Sequence, residues 1–277
     1  MEDRELPEMS LFDAITSRRS HRGQFQDRQI RSEHLDRLLD AARWAPSPFN
    51  VQPWELLIIR ETEGKIALAN LTEKCVAEQF KDTKFLDDNR RWVRLTEEEW
   101  EETCDGVLLA DHVSLPQIVS KDPTVLGPLL KNAKHLGILG HLGAGKMPAK
   151  ELSNLVRTSP LLILVLMNTN RRPPGEGAAR WMWIGMGAMI QNLLLAATAL
   201  HIGTQFVSAP LERQKDRQCV RNIFDLPASV EIICLMRFGY INSVGGKSVR
   251  LTTPAFTQFE KYEPEGNASS RPTARNT

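Results

Sequence analysis

The 277-residue chain is short of charge imbalance and of cysteines, and each shortage removes a class of function. Lysine plus arginine number 35 against 34 aspartate plus glutamate, so the formal charge of +1 gives no electrostatic case for nucleic acid or an anionic membrane surface. Any basic patch must be local. The four cysteines, Cys75, Cys104, Cys219 and Cys234, form no Cys-x-x-Cys pair and have no histidine at metal-ligand spacing. Buried free thiols in a reducing compartment are expected. No uncharged apolar run reaches the roughly 20 residues that cross a bilayer, and the opening MEDRELPEMS is too acidic and polar for a secretory leader. A soluble, cytoplasmic protein is the expectation. No pattern supplies a nucleophile with its base, a paired-carboxylate acid and base, or a metal site, so the chemistry should belong to a bound cofactor.

What the chain does have begins with Arg18-Arg19-Ser20-His21-Arg22, three guanidinium groups and a hydroxyl within five residues. A guanidinium is a planar fork of donors that matches phosphate oxygens two at a time, so the grouping suits an anion site. It equally suits a solvated basic turn at a helix end. Ser10 can cap a helix from Leu11 to Arg18, and Ser32 a second whose Leu35, Leu38, Leu39 and Ala42 recur at helical spacing until Pro46. The three prolines of Ala45 to Trp54 then predict an irregular extended loop, and Glu55 to Arg60 a buried strand.

In this order, Arg-Arg-Ser-x-Arg, a helix ending in Ala-Pro-Ser, Asn-x-Gln-Pro-Trp and an apolar strand resemble the nitroreductase family of flavin mononucleotide (FMN) enzymes. The resemblance implies that Arg18, Arg19, Ser20 and Arg22 hold the flavin phosphate, while Pro46, Ser47 and Asn50 line the ring. It covers roughly residues 10 to 60 and 159 to 255, within a domain spanning 1–262.

Between those stretches, helical spacing is expected over Glu63 to Leu71 and again over Thr72 to Leu86, and Thr96 with Glu99 makes a capping box. The segment from about 84 to 148 reads as an insertion, a place for substrate selectivity. Gly140 to Lys146 imitates a nucleotide-triphosphate loop, but Met147 and Pro148 stand where the hydroxyl and helix belong, and a glycine hinge fits better. His135 and His141 lack a zinc-type partner pattern, and His112 and His201 read as structural rather than catalytic.

Leu161 to Met167 is an unbroken apolar run with the length of a central strand. Arg180 to about Leu200 predicts a helix apolar nearly all round, buried in a core or a subunit interface, with Gly185 and Gly187 allowing close backbone approach. By resemblance, its Gln191 to Ala197 stretch matches the central helix of an obligate homodimer. A short strand follows from Gly203, a helix from Leu211 to Phe224, and a strand from Ser229 to Phe238 leading to Gly239-Tyr240.

The resemblance also implies that main-chain amides of Val207, Ser208 and Ala209 approach flavin N5, although Ser208 stands where many members carry an acidic or amide residue. Lys247 and Arg250 match a basic pair that returns to the phosphate, with a solvated basic loop as the alternative. Residues 263–277 are expected to be disordered.

The fold expected by resemblance is α+β, a mainly antiparallel sheet wrapped by helices, in an intertwined homodimer with two flavin sites. The expected activity is ping-pong hydride transfer from NADH or NADPH through FMN to an electron-poor small molecule such as a nitroarene or quinone. A specialised branch of the family (reductive dehalogenation, flavin cleavage, or oxidation of an azoline-type ring) and a non-catalytic flavin carrier or sensor are the alternatives.

Overall fold

The structure is a computed structural model that describes residues 9–109, 137–138, 141–143, 145–242 and 246–262. Its elements in chain order are α1 (Leu11–Ser17), α2 (Ser32–Arg43), a 3₁₀ turn (Pro48–Asn50), β1 (Trp54–Ile59), α3 (Thr62–Gln79), α4 (Thr83–Arg90), β2 (Val93–Arg94), α5 (Glu97–Thr103) and β3 (Val107–Leu108). There follow α6 (Lys146–Arg157), β4 (Leu161–Asn168), α7 (Ala178–Ala199), β5 (Ile202–Phe206), a 3₁₀ turn (Ala209–Leu211), α8 (Gln214–Ile223), β6 (Val230–Tyr240) and α9 (Thr253–Phe256).

These divide into two compact units. The first takes the chain up to Val76 and from Ala149 to Gly246; the second takes Ala77 to Pro148 and the chain from Lys247 onward. In the first, four strands run in the order β1-β4-β6-β5, every neighbouring pair antiparallel. This is the expected α+β class. β4 lies inside the sheet and buries Leu161 through Met167, which is why its sequence is continuously apolar rather than alternating. On one face, β4 residues Leu161, Ile163 and Val165 meet Met182, Met186, Met189 and Leu193 of α7 in the main core. Helix α7 packs against α1, α2 and β5. By length and composition alone it would pass for a membrane span; its packing makes it a core helix.

Local signals and structure differ at several points, the first being β1, expected as a buried strand but lying at the sheet edge with only Ile59 buried. Ser32 is the first residue of α2 rather than its cap, a place taken by Arg31 without a side-chain bond. Helix α3 runs unbroken for 18 residues through the expected join at Leu71–Thr72, because both residues are buried. The proline-rich loop is not wholly irregular: Pro48–Asn50 closes a 3₁₀ turn.

The second unit pairs β2 with β3 in a short parallel ribbon. Thr96 caps α5 as expected, accepting from the Glu99 amide at 3.2 Å, while the Glu99 carboxylate accepts from the Leu95 amide at 2.8 Å. The nucleotide-loop imitation at Gly140 to Lys146, together with His112 and His135, falls wholly or partly outside the described residues, as does the segment 263–277.

Candidate functional site

Three stretches singled out in the sequence lie in the first unit, and two of them meet on one strand. Helix α1 is capped by Ser10, whose hydroxyl accepts from the Asp13 amide, and ends where the Arg18 amide reaches Ala14 O. The chain then runs beside β5: Ser20 forms a parallel bridge with Thr204, and the His21 amide donates to Thr204 O at 2.8 Å. Two glycines paired across β5 and β6, Gly203 and Gly239, let this segment lie flat. A Cβ on Gly239 would stand 2.3 Å from the Phe25 ring, and one on Gly203 would stand 3.0 Å from His21.

The three arginines divide by role. Arg19 is turned toward backbone: its Nε donates to Gly246 O at 2.9 Å, and its Nη1 to Thr16 O at 2.7 Å and Arg18 O at 2.9 Å, satisfying carbonyls at the α1 exit. Arg22 is half-buried and has no hydrogen-bond or ionic partner among the described residues. Arg18 and Ser20 are likewise half-buried. An unpaired guanidinium beside a hydroxyl is a donor set for an oxyanion.

Just past the end of β5, the Val207 amide donates to Leu235 O at 2.8 Å and so belongs to the sheet. Ser208 and Ala209 have amides with no acceptor among the described residues, while Ser208 O accepts from Leu211 at 2.7 Å. Of the three expected donors, two are open. The Ser208 side chain is exposed, and Ala209 is buried.

The loop of Pro46, Ser47 and Asn50 packs on α7. A Cβ on Gly185 would lie 3.3 Å from Pro46 O and 3.5 Å from Ser47, so the helix must carry glycine or yield there; at Gly187 nothing lies within 4 Å. Ser47 Oγ accepts from the Gln52 amide at 3.0 Å, and Gln52 Nε2 donates to Asn50 Oδ1 at 3.1 Å. Phe49, Asn50 and Gln52 adopt left-handed φ values of 51°, 52° and 46°. Non-glycine residues held in that region mark a loop over-determined by its own bonds, which is common where a ligand is positioned. No hydrogen bond joins this loop to the arginine segment among the described residues.

Lys247 and Arg250 belong to the second unit. Lys247 Nζ pairs with Glu97 at 2.7 Å and also with Glu101. Its hydrogen bonds to Glu101 and Glu97 raise its pKa, holding the ammonium charged. Arg250 donates to Ser248 Oγ and to Val249 O, and lines a cavity of about 570 Å³ with Cys104, Asp105, Leu251, Thr253 and Phe256.

One residue of this neighbourhood was not singled out from the sequence. Arg237 sits in mid-strand on β6 and is fully buried. It donates to Gln205 Oε1 at 2.6 Å, Leu155 O at 3.3 Å, His21 O at 3.0 Å and Gly23 O at 2.5 Å, with its guanidinium 4.4 Å over the Phe25 ring. The available signal was a lone cation inside the apolar run Ile232 to Phe238. Among the described residues no group of three or more histidine, cysteine or acidic side chains could hold a metal.

Comparison with known proteins bears on the same segments. A protein of Methanothermobacter thermautotrophicus described as an NADH dehydrogenase/NAD(P)H nitroreductase is 38% identical over 61 residues, 22% of this chain and only 31% of that protein. The 4-nitrobenzoate reductase of Pseudomonas putida is 23% identical over 260 residues, covering 91% of this chain and 96% of that one. Among solved structures, NfrA2 of B. megaterium superposes with a TM-score of 0.54 at 16% identity, over 93% of this chain and 77% of that one. A nitroreductase-like protein of Bacillus cereus gives 0.53 at 19% identity, over 92% and 99%. These two likenesses speak to the fold. The model of the nitroreductase family matches residues 15–240, from the exit of α1 through the last strand of the sheet, and on that match the chain belongs to the nitroreductase family.

Proposed function

We propose that this chain is an FMN-dependent oxidoreductase that takes reducing equivalents from NADH or NADPH and passes them to a small electron-poor acceptor such as a nitroaromatic or quinone. The observation that carries the proposal is the placement of two open donor sets along one strand. Arg22 and Ser20 stand where the segment pairs with Thr204, and the amides of Ser208 and Ala209 stand beyond the end of the same strand. The separation, four residues of mostly extended chain, is on the order of 10 Å. That suits a ligand carrying a dianion at one end of a short chain and a ring at the other.

When bound, FMN would accept hydride and release it to a second substrate, which predicts ping-pong kinetics. The chain's own work is then electrostatic and steric. Arg18, Ser20 and Arg22 bind the phosphate, and the Ser208 and Ala209 amides present fixed dipoles where negative charge grows on the ring, at no cost in reorganisation. Pro46, Ser47 and Asn50, held by the left-handed loop, shape a wall. Lys247 and Arg250, the expected basic pair, belong to the second unit, where Lys247 is paired with Glu97 and Glu101. NfrA2, 4-nitrobenzoate reductase and a Clostridium difficile protein named as an FMN-dependent nitroreductase support this assignment by analogy.

A homodimer is part of the proposal. Helices α1 and α7 pack together yet leave Leu11 62%, Phe12 77%, Trp181 55% and Ile184 55% exposed. An apolar surface of that kind on a family fold is best covered by a second copy. The test is anaerobic reduction: the purified protein should lose its flavin colour with reduced nicotinamide and regain it with a nitroarene or quinone, giving parallel double-reciprocal plots. A coloured protein that neither nicotinamide reduces would support the carrier alternative.

A further inference from the structure

Arg237 lies in β6 between β4 and β5, in register with Leu162 on one side and Gln205 on the other. It has no carboxylate partner among the described residues, and burial pulls its pKa down to about 10, which still leaves it charged at neutral pH. A cation in that position is costly, and an apolar side chain would fill the volume without the loss of hydration. What the guanidinium adds is direction. It gathers oxygens from three separate stretches: Leu155 of α6, Gln205 of β5, and His21 with Gly23.

The last two contacts bear on ligand binding. Every described peptide bond is trans, so a carbonyl turned toward Arg237 points the following N–H the opposite way. The His21 carbonyl faces Arg237; the Arg22 amide therefore faces away from it. That amide has no acceptor among the described residues, and neither does the Arg22 side chain. We propose that Arg237 is a positioning residue for a phosphate monoester dianion: by holding the His21 and Gly23 carbonyls it turns the Arg22 amide and guanidinium outward together. Its own charge, lacking a counter-ion, favours a dianion on the far side of that peptide.

The proposal rests on the function above for the identity of the ligand, and the experiment separates the two. Apoprotein is titrated with FMN, with riboflavin, which lacks the phosphate, and with inorganic phosphate followed by ³¹P NMR. For Arg237→Met the expected result is FMN affinity lower by about tenfold or more, riboflavin affinity unchanged, and phosphate binding lost. Arg237→Lys should recover part of the FMN affinity, since it keeps charge but not the fork. Should Arg237→Met fail to fold, Gln205→Met removes the Nε acceptor and is expected to weaken FMN and spare riboflavin in the same sense. Equal loss of FMN and riboflavin, or FMN affinity within twofold of the parent, overturns the proposal. A parent protein that ignores both flavins yet binds phosphate in an Arg237-dependent way would sink the flavin assignment while sustaining this one.

Discussion

Among the residues, the arginine cluster reads in the sequence either as an anion site or as a solvated basic turn at a helix end, and only the motifs downstream of it favour the first. The division of labour among its arginines was not legible, since linear spacing does not say which side chain turns back on the helix. Arg22→Ala is expected to weaken FMN binding by about tenfold or more, with the melting temperature unmoved. Arg19→Ala should instead lower stability by roughly 1 kcal/mol, because that side chain bonds the carbonyls of Thr16, Arg18 and Gly246. Chemical denaturation with a flavin titration of each variant checks both. The cysteines give a second expectation. Burial, aided by Asp216, pushes the Cys75 thiol up to about 11, and burial pushes Cys234 up to about 12, against an ordinary value of 9.0. Only Cys219 is exposed. A thiol reagent at pH 8 should modify Cys219 first and reach the buried Cys75 only on unfolding. Above pH 9.0 the unfolded chain loses thiol protons that the folded chain keeps, so Cys75 and Cys234 make stability fall as pH rises toward about 11. Stability rising over that interval would contradict their burial.

The elements were most legible where apolar residues ran unbroken. β4, α7 and β6 were all expected close to their observed bounds, because their long apolar runs carry few polar interruptions. Helix α3 was expected as two stretches adjoining at Leu71–Thr72; Thr72 is instead buried in mid-helix, and its hydroxyl finds no partner among the described residues. What no pattern revealed was the flat patch of Gly203 and Gly239 under His21 and Phe25, a contact between segments far apart in sequence. Gly239→Ala should cost about 1–3 kcal/mol, since its methyl would stand 2.3 Å from the Phe25 ring and 2.5 Å from its Cβ. Phe25→Ala in the same background should recover part of that loss. A double-mutant cycle by denaturation measures the coupling, and strict additivity would contradict the packing described.

The whole molecule is where sequence patterns say least, because quaternary contacts leave no periodicity of their own. The exposed apolar residues of α1 and α7 predict a dimer in sedimentation equilibrium. Combining Phe12→Glu with Ile184→Glu should shift it to monomers and release flavin in the same step, if the site draws on both chains. A monomeric parent protein, or flavin retained after dissociation, would contradict the shared site. The account depends above all on FMN being held through its phosphate in the first unit. The most direct test is an equilibrium titration of the apoprotein with FMN and riboflavin, followed by visible absorption and fluorescence quenching. Saturation at one FMN per chain, with riboflavin bound far more weakly, is the predicted result; folded protein that binds neither, or binds both alike, would contradict it.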